Sequence, residues 1–487
     1  MANLSVLDLS VIILYVILMF YIGLRSKNKI KNTDDYYLAG RGLGLVILAT
    51  TVCASIIGGS PLLGRTGVTY KTGMAGMMLA IPYLVGMYIF SLFSGRIHDV
   101  GTQYGISSIP DLFSFRFGKG AKLIVAALIA FSMGATVAAA VKAFATVITV
   151  FFGVSSVVAA SWVAVLILIS YTAISGLFGV VYTDLFQCII LVVTMYLLLP
   201  VLGVVKVGGF QPMFSKIPKE LLKINMTPDI TNAVFTNLFF TAAGAEMWQR
   251  AFAAKDKKTA RNGMTLGNTI YAVTILSTLF IAFSALALYP DIADMYPSIG
   301  SDAVVPVMAI NLLPSGLLGL AVAGILAAIM SSADTYLLIA AQTLTADIIK
   351  PALKITDNKK ELLTSRICII VLGILALVIS LYIDGLYNTL MFAWTFYAAA
   401  VGFPAFAALY WKKATTAGIC SGMISGFVVS LGWKFIGNPG GISESVAGIV
   451  ICIVLTVTVS LLTYKKESPT PFCAVTADLQ TETQLEM

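Results

Sequence analysis

The stretch Ile325-Leu-Ala-Ala-Ile-Met-Ser-Ser-Ala-Asp-Thr-Tyr-Leu-Leu338 places four oxygen-bearing side chains inside an apolar run that is long enough to cross a bilayer. These side chains belong to Ser331, Ser332, Asp334 and Thr335. Polar groups at membrane depth are costly unless they bind something, and they usually face the interior of a helix bundle. The stretch therefore predicts a transmembrane helix that carries a functional site.

The spacing of these residues favours a site for a small hard cation. On a helix, Ser331, Ser332 and the carbonyl of Ala328 lie within one turn, and Asp334 and Thr335 follow one turn later on the Ser331 side. Hydroxyl and carbonyl oxygens are the donors that replace water around such cations. Alternatively, the hydroxyls bond back to carbonyls of their own helix, which is the commoner arrangement for a lone Ser-Ser pair. Asp334 shifts the balance toward the cation, because a carboxylate is far harder to bury.

The composition is that of an integral membrane protein. The chain is 59% hydrophobic and 11% charged, and its mean hydropathy is +0.93, which no water-soluble core of this length needs. Runs of about 18 to 25 apolar residues, the length that spans a bilayer as helix, recur along the chain. We count thirteen, near residues 7–24, 43–64, 74–95, 123–152, 157–175, 184–205, 230–249, 266–289, 314–347, 364–383, 386–411, 416–434 and 446–463.

The positions of lysine and arginine predict the orientation, because cytoplasmic loops carry an excess of both. An external N-terminus places most of the 31 basic residues, Arg250 among them, in the cytoplasm. Arg65 is then one of the few outside, and Lys142 lies within a span. We therefore expect a multi-pass protein of the cell membrane with a cytoplasmic C-terminus. The net charge of +8 is a signal of topology and not of nucleic-acid binding.

Several classes of function are excluded by what the sequence lacks. The six cysteines have no paired spacing, and His98 is the only histidine, so we expect neither a disulfide framework nor a zinc site. The chain contains no Walker loop and no dinucleotide fingerprint. We expect a transporter that is not an enzyme and that has no nucleotide or nucleic-acid partner.

The second span contains a predicted break in its helix. In Cys53-Ala-Ser-Ile-Ile-Gly-Gly-Ser-Pro-Leu-Leu-Gly64, the residues Gly58, Gly59, Ser60 and Pro61 interrupt a helix at mid-membrane depth. Exposed backbone is tolerated there only where it lines a cavity or binds a ligand. The alternative is that the glycines merely allow close packing of helices.

A weaker interruption occurs five spans later. It lies in Thr241-Ala-Ala-Gly-Ala-Glu246 and centres on Gly244. Interrupted segments at corresponding positions of two halves indicate the solute site of a transporter. Gly58, Gly59, Ser60 and Gly244 are therefore candidate solute-binding positions.

Four motifs identify a family resemblance. They are Asp34-Asp-Tyr-Tyr-Leu-Ala-Gly-Arg41, Tyr182-Thr-Asp-Leu-Phe-Gln187, Gln249-Arg-Ala-Phe-Ala-Ala-Lys255 and Ala327-Ala-Ile-Met-Ser-Ser332. Together they resemble the sodium:solute symporter family, which includes sodium-coupled carriers for proline, sugars, sialic acid, pantothenate and choline. The resemblance runs from the first span to about Trp411. Within that family, the chain resembles the bacterial carriers of the proline and choline type.

The resemblance implies an all-α polytopic protein with a LeuT-type core of two inverted five-helix repeats and three additional helices. The implied segments are an N-terminal helix and basic cytoplasmic loop at 1–42, a first repeat at 43–206 (spans two to six), an external loop at 207–229, a second repeat at 230–411 (spans seven to eleven), two C-terminal helices at 412–463 and a disordered cytoplasmic tail at 464–487.

The resemblance also implies a sodium site between the broken helix and the serine-bearing span. Its ligands in this chain are the carbonyls of Ala54, Ile57 and Ala328 and the hydroxyls of Ser331 and Ser332. All five positions hold a compatible residue.

Some members of the family have a second cation site. The matching positions here are Asp184, Ser331, Asp334 and Thr335. The chain departs from the proline carriers at Ile56, where they have an acidic residue; Asp334 could compensate for that lost charge.

Three further residues are candidates for solute binding. Lys142 lies inside the fourth span, where an ammonium needs a cavity or a partner, and a structural ion pair is the commoner outcome. Glu246 adjoins the second interruption and could hold an amine, or it could snorkel to the cytoplasmic interface. Trp394 resembles an aromatic residue at the solute cavity of proline carriers; the alternative is a core or lipid-facing aromatic.

We interpret the chain as a secondary active symporter that couples inward movement of sodium to uptake of a small organic solute. The sequence leaves open whether the solute is an amino acid, a carboxylate or a choline-like amine. Coupling to protons through Asp184 and Asp334 is the main alternative, and a sodium or solute sensor or a channel is a further one. The expected partners are sodium, the solute and the lipid bilayer.

Overall fold

Helices make up all the regular structure in the described part of this computed structural model, which comprises residues 4–26 and 38–467. The α-helices are Val6–Ser26, Leu45–Ile56, Gly59–Thr72, Ile81–Tyr104, Ile109–Phe152, Val157–Leu191, Leu199–Val207, Phe210–Lys216, Pro228–Ala243, Ala245–Ala253, Lys257–Leu288, Ile292–Met295, Val304–Leu312, Leu317–Gln342, Lys350–Leu353, Asn358–Tyr382, Leu386–Tyr410, Thr416–Phe435 and Glu444–Glu467. π-Helical segments at Val192–Leu198 and Thr343–Ile349 continue two of them.

The described helices are consistent with a polytopic membrane protein. Nine segments of the described chain are long and apolar enough to span a bilayer. Shorter apolar helices occur at Val6–Met19, Leu45–Ile56, Val157–Ser170 and Gly300–Leu312, and the sequence missed the last of these. The count of thirteen spans stays a prediction.

Two of the predicted segments lie partly outside the described residues. The basic loop at 27–37 and the tail from residue 468 onward are not described. The final helix continues to Glu467, so the predicted start of the disordered tail at residue 464 is wrong.

The predicted break in the second span is confirmed. The first broken helix consists of Leu45–Ile56 and Gly59–Thr72, and the backbone leaves the helical region at Gly58, with φ −47° and ψ 167°. Pro61 lies in the first turn of the second half, where its missing N–H would have no helical partner in any case. The glycines and the proline thus explain where one half ends and the next begins.

The weaker interruption is also confirmed. The second broken helix consists of Pro228–Ala243 and Ala245–Ala253, with Gly244 at φ −54° and ψ 102° between them. Its far end pairs with the start of the first broken helix, because Leu43 N–H donates to the Ala253 carbonyl (3.0 Å) and its own carbonyl accepts from Lys255 N–H (3.1 Å). The ends of the two interrupted elements are therefore held together by backbone hydrogen bonds.

The serine helix, Leu317–Gln342, runs through the centre of the protein. Protein buries 89% of the most apolar window of Leu317–Leu353, against 28% for the last helix, Glu444–Lys465. It packs against Val6–Ser26, Ile109–Phe152 and Val157–Leu191. Its polar side chains therefore face protein and not lipid. Polar groups at membrane depth are stable only in such surroundings.

Asp8 of the first helix fixes the beginning of the serine helix. Its Oδ1 accepts hydrogen bonds from the N–H groups of Gly316 and Gly319, both at 2.7 Å. These N–H groups have no partner inside the helix, and a carboxylate also interacts favourably with the positive end of the helix dipole. The contact anchors the serine helix against the first span.

The first break touches the serine helix directly. A Cβ atom added to Gly58 would lie 1.8 Å from Ser332 Oγ, 2.8 Å from Ser332 Cβ and 3.3 Å from the carbonyl oxygen of Ala328. One added to Gly59 would lie 1.9 Å from Cγ1 of Ile329. The unwound backbone can approach the serine helix this closely only because it carries no side chain at these positions.

We expect Gly58→Ala to destabilise the protein by about 1–3 kcal/mol, because the added methyl group overlaps Ser332 and must displace the packed helices. The measurement is thermal unfolding of the purified protein in detergent. Gly44→Ala is the matched control, since a Cβ at Gly44 would meet nothing within 4 Å. Equal melting temperatures for the two variants would contradict the packing described here.

Candidate functional site

The five predicted sodium ligands lie on the two elements that meet at the first break. Ala54 and Ile57 come from the end of its first half, and Ala328, Ser331 and Ser332 come from the facing part of the serine helix. All five residues are buried. The fold thus brings the predicted set into one region, on either side of Gly58.

Two hydrogen bonds already involve three of these oxygens. The Ser332 hydroxyl donates to the carbonyl of Ala328 at 3.0 Å, and the Ile57 carbonyl accepts from the hydroxyl of Tyr196 at 3.2 Å. The Ser332 hydroxyl is the donor in its contact, so its oxygen keeps its lone pairs for another partner, and the Ile57 carbonyl keeps a second lone pair beside the one used by Tyr196. The back-bonding that sequence reasoning weighed as an alternative is therefore present, and it is compatible with cation binding.

Ser331 joins this region to a second cluster around Asp184. Its hydroxyl donates to Asp184 Oδ1 at 2.5 Å, and the hydroxyl of Thr51 donates to Oδ2 at 2.5 Å. Asp184 is fully buried. Its carboxylate therefore connects the Val157–Leu191 helix, the first broken helix and the serine helix.

Asp334 and Thr335 lie one turn further along the serine helix, as their spacing predicts. The hydroxyl of Thr172 donates to Asp334 Oδ1, and the hydroxyl of Thr335 accepts from Nη2 of Arg250 at 3.1 Å. Both residues are buried. The second predicted cation set is thus assembled from neighbouring oxygens, with a guanidinium beside it.

Arg250 is the main residue that sequence reasoning missed. Counting it among cytoplasmic loop charges was wrong, since its side chain is 1% exposed. Its Nη2 lies 3.9 Å from Asp184 Oδ2, and Nε and Nη1 donate to the carbonyls of Thr51 (3.3 Å) and Glu246 (3.1 Å). Its position one turn after Glu246, beyond the second break, was the available signal.

A small cavity lies beside the first break, between the two broken helices and Leu386–Tyr410. Its lining includes Ile56, Arg65, Tyr83, Asn237, Met391 and Trp394. Trp394 is one of the lining residues, and its role in solute binding stays a prediction. Arg65 and Asn237 were not singled out from the sequence, because nothing in the local pattern shows which way the side chains on these helices point.

Aromatic stacking fixes the position of Trp394. Its ring stacks on Phe240 (4.2 Å between centroids) and on Tyr83 (5.8 Å). Its indole N–H donates to the hydroxyl of Thr136 at 3.1 Å. Two aromatic rings and one hydrogen bond therefore hold the indole ring in place at the cavity.

At the second break, protein side chains donate hydrogen bonds to backbone carbonyls that the sequence suggests are free. The hydroxyl of Tyr397 donates to the carbonyl of Ala243 at 2.6 Å, and the indole of Trp248 donates to Ala242 at 3.0 Å. Glu246 is fully buried, and within the described chain its carboxylate oxygens have no hydrogen-bond partner. Snorkelling of Glu246 to the interface is therefore wrong for this structure. The side chain of Ser60 lies outside what the structure describes.

Lys142 does not join these clusters. Its ammonium donates to the carbonyls of Ser380 (3.1 Å) and Ile383 at the end of the Asn358–Tyr382 helix. A cation at a helix C-terminus binds unpaired carbonyls and interacts favourably with the helix dipole. The partners of the ammonium are therefore carbonyls at a helix end and not the carboxylate of a structural ion pair.

Two solved structures resemble the fold. One is described as the substrate-bound outward-open state of a Na+-coupled sialic acid symporter; it has a TM-score of 0.80 and 17% sequence identity, and the match covers 96% of this chain and 99% of that one. The other is a nucleobase-cation-symport-1 family transporter in a closed conformation, with a TM-score of 0.58, 13% identity and coverage of 90% and 96%. These similarities confirm the predicted all-α LeuT-type fold.

Sequence relatives extend over nearly the whole chain. The sodium/proline symporter of Escherichia coli (strain K12) is 26% identical over 463 residues, which is 92% of this chain and 91% of that protein. The sodium/proline symporter of Staphylococcus aureus is 25% identical over 479 residues, with coverage of 93% and 92%. Residues 36–426 match the family model described as the sodium:solute symporter family. The chain therefore belongs to the sodium:solute symporter family.

Proposed function

We propose that the oxygens of Ala54, Ile57, Ala328, Ser331 and Ser332 bind the sodium ion whose inward movement drives solute uptake. Sodium is the ion that this family couples to the symport of small solutes. The observation that supports this ligand set is the contact of Gly58 with Ala328 and Ser332, which brings the end of the first half-helix against a carbonyl and a hydroxyl of the serine helix. Hard neutral oxygens of this kind suit a small alkali cation.

The energy available from sodium is sufficient for accumulation. One charge that crosses 100 mV releases about 2.3 kcal/mol, and every 1.4 kcal/mol corresponds to a tenfold concentration ratio. A single sodium ion therefore supports between one and two decades of solute accumulation before any sodium gradient is added. No nucleotide is needed for such a cycle.

The cavity at Trp394 is the proposed solute site. It borders Ile56, the residue that precedes the proposed carbonyl ligand Ile57, so ion and solute would contact adjacent residues at the end of one half-helix. Gly58 lies in the break, Gly59 and Ser60 begin the next half-helix, and Gly244 and Glu246 shape the opposite break. We assign Lys142 a supporting role at its helix end.

Asp184, Ser331, Asp334 and Thr335 form the proposed second cation site. Arg250 supplies a counter-charge to Asp184, and within the described residues Asp334 has no basic side chain at ion-pair distance. That difference makes Asp334 the candidate proton carrier if a proton replaces sodium there. Coupling to protons is accordingly the second candidate mechanism.

The proposed topology places the N-terminus outside and the C-terminus in the cytoplasm. Each proposed repeat, 43–206 and 230–411, begins with one of the two broken helices, which supports the inverted-repeat division. The proposed external loop at 207–229 contains only short helices, at Phe210–Lys216 and Lys219–Leu222. The helices at 412–463 lie outside both repeats.

We expect Ser331→Ala and Ser332→Ala each to raise the sodium concentration for half-maximal uptake about tenfold or more, because each removes one cation ligand. The measurement is the sodium dependence of solute uptake by proteoliposomes. Ser425→Ala is the control, since Ser425 bonds only within its own peripheral helix, to the carbonyl of Gly422. Unchanged sodium dependence in both variants would reject the ligand assignment.

We expect Asp184→Asn and Asp334→Asn each to abolish or severely weaken sodium-stimulated uptake. A sodium ion between the two carboxylates would keep both ionised, so uptake by the parent protein at saturating sodium should vary little between about pH 6 and 8. The test is uptake under imposed sodium or proton gradients. If a proton gradient alone drives accumulation and Asp334→Asn removes only that drive, the second site is a proton site.

We expect a cysteine at position 294 to react with a membrane-impermeant thiol reagent on intact cells, and a cysteine at 257 to remain unlabelled. Asp294 and Lys257 are both exposed, so accessibility from the two sides of the membrane, and not burial, decides the result. The parent protein gives the background from native cysteines. The opposite labelling preference would overturn the proposed orientation.

A further inference from the structure

Arg65 gives the cavity a fixed positive charge. It is the one permanently charged residue among the described side chains that line the cavity, and none of those residues is an aspartate or a glutamate. The other lining groups are aromatic, aliphatic or, at Asn237, an amide. The charge of the cavity is therefore set by one guanidinium.

The guanidinium of Arg65 is buried without an acidic partner. Arg65 is 8% exposed, and across the described residues no carboxylate forms an ion pair with it. Its Nε has no hydrogen-bond partner there either, and its Cζ lies over the ring of Tyr271 at 5.2 Å. A ring face compensates a buried charge only in part, so an anion is the partner that the site lacks.

We propose that Arg65 binds the carboxylate of the transported solute. The inference rests on the proposed function, because it takes this cavity as the solute site. A guanidinium presents parallel N–H donors that match the two oxygens of a carboxylate. The apolar and aromatic walls at Leu79, Tyr83, Leu390 and Met391 suit a solute with a compact apolar body beside that carboxylate.

The same geometry disfavours a choline-like amine. A fixed guanidinium repels a second cation in a buried cavity, where charge interactions are stronger than in water. Recognition of a quaternary ammonium uses open aromatic faces, but the ring of Trp394 is already stacked against two other rings, those of Phe240 and Tyr83. Among the three solute classes left open by the sequence, the geometry therefore disfavours the amine and favours the two that carry a carboxylate.

The test uses the full-length protein in proteoliposomes with an inward sodium gradient. They are incubated with a defined mixture of proline, prolinamide, benzoate, benzamide and choline, and separately with a small-molecule extract of bacterial cells. Accumulated solutes are identified by mass spectrometry. We expect the solutes that accumulate under the sodium gradient to carry a carboxylate. Comparison of proline with benzoate then distinguishes an amino acid carrier from a carrier of simple carboxylates.

The role of Arg65 is then tested with variants, by measuring their uptake of the solute that the parent protein accumulates. We expect Arg65→Gln to raise the half-saturating solute concentration about tenfold or more, since a charge-assisted hydrogen bond is lost, while Arg65→Lys retains part of the affinity. Lys71→Gln, an exposed basic position on the same helix, should leave uptake unchanged. Melting temperatures of the variants in detergent identify any loss caused by unfolding.

The outcomes separate the inference from the proposed function. Sodium-driven accumulation of choline or of either amide, without accumulation of the carboxylates, overturns the role of Arg65 and leaves the symporter intact. A folded Arg65→Gln protein with unchanged carboxylate affinity also overturns it. If the sodium gradient drives accumulation of no solute from the defined mixture or from the extract, the proposed function itself is wrong.

Discussion

The close approach of the Gly58 backbone to the serine helix is the contact on which the rest of the site depends. Unwinding at Ile57 and Gly58 frees carbonyl oxygens from the helical ladder, and such groups are stable at membrane depth only inside protein. The serine helix supplies that environment, because most of its length is surrounded by other helices. A residue with a side chain at position 58 would separate the carbonyls of one element from the hydroxyls of the other.

Ser331 extends this contact into a connected network of polar groups. Its hydroxyl reaches Asp184, Asp184 also accepts from Thr51 on the broken helix, and Arg250 links the same region to the end of the second broken helix. Each group is buried, so a change in charge at one of them alters the balance at the others. The two interrupted helices are thereby coupled both by charge and by the backbone pairing of Leu43 with Ala253 and Lys255.

The two arginines near the breaks have opposite surroundings. Arg250 lies beside a carboxylate and donates to three further oxygens, so its charge is balanced within the protein. Arg65 faces a cavity with an aromatic ring as its described partner. This contrast is why one arginine is assigned to the framework of the ion site and the other to the solute.

The sequence by itself determined the membrane class, the helical fold, the two breaks and the cation-type residues on the serine helix. Each of these follows from a local property, namely apolar run length, glycine and proline, or spacing along one helix. Motif resemblance added Asp184 and the carbonyls of Ala54 and Ile57, which no local pattern indicates. Only the tertiary structure showed that Arg250 is buried beside Asp184, that Lys142 binds the end of a helix, and that Arg65 faces the cavity. Those outcomes depend on which helices become neighbours and on the rotation of each about its axis, and the spacing of residues along one helix specifies neither.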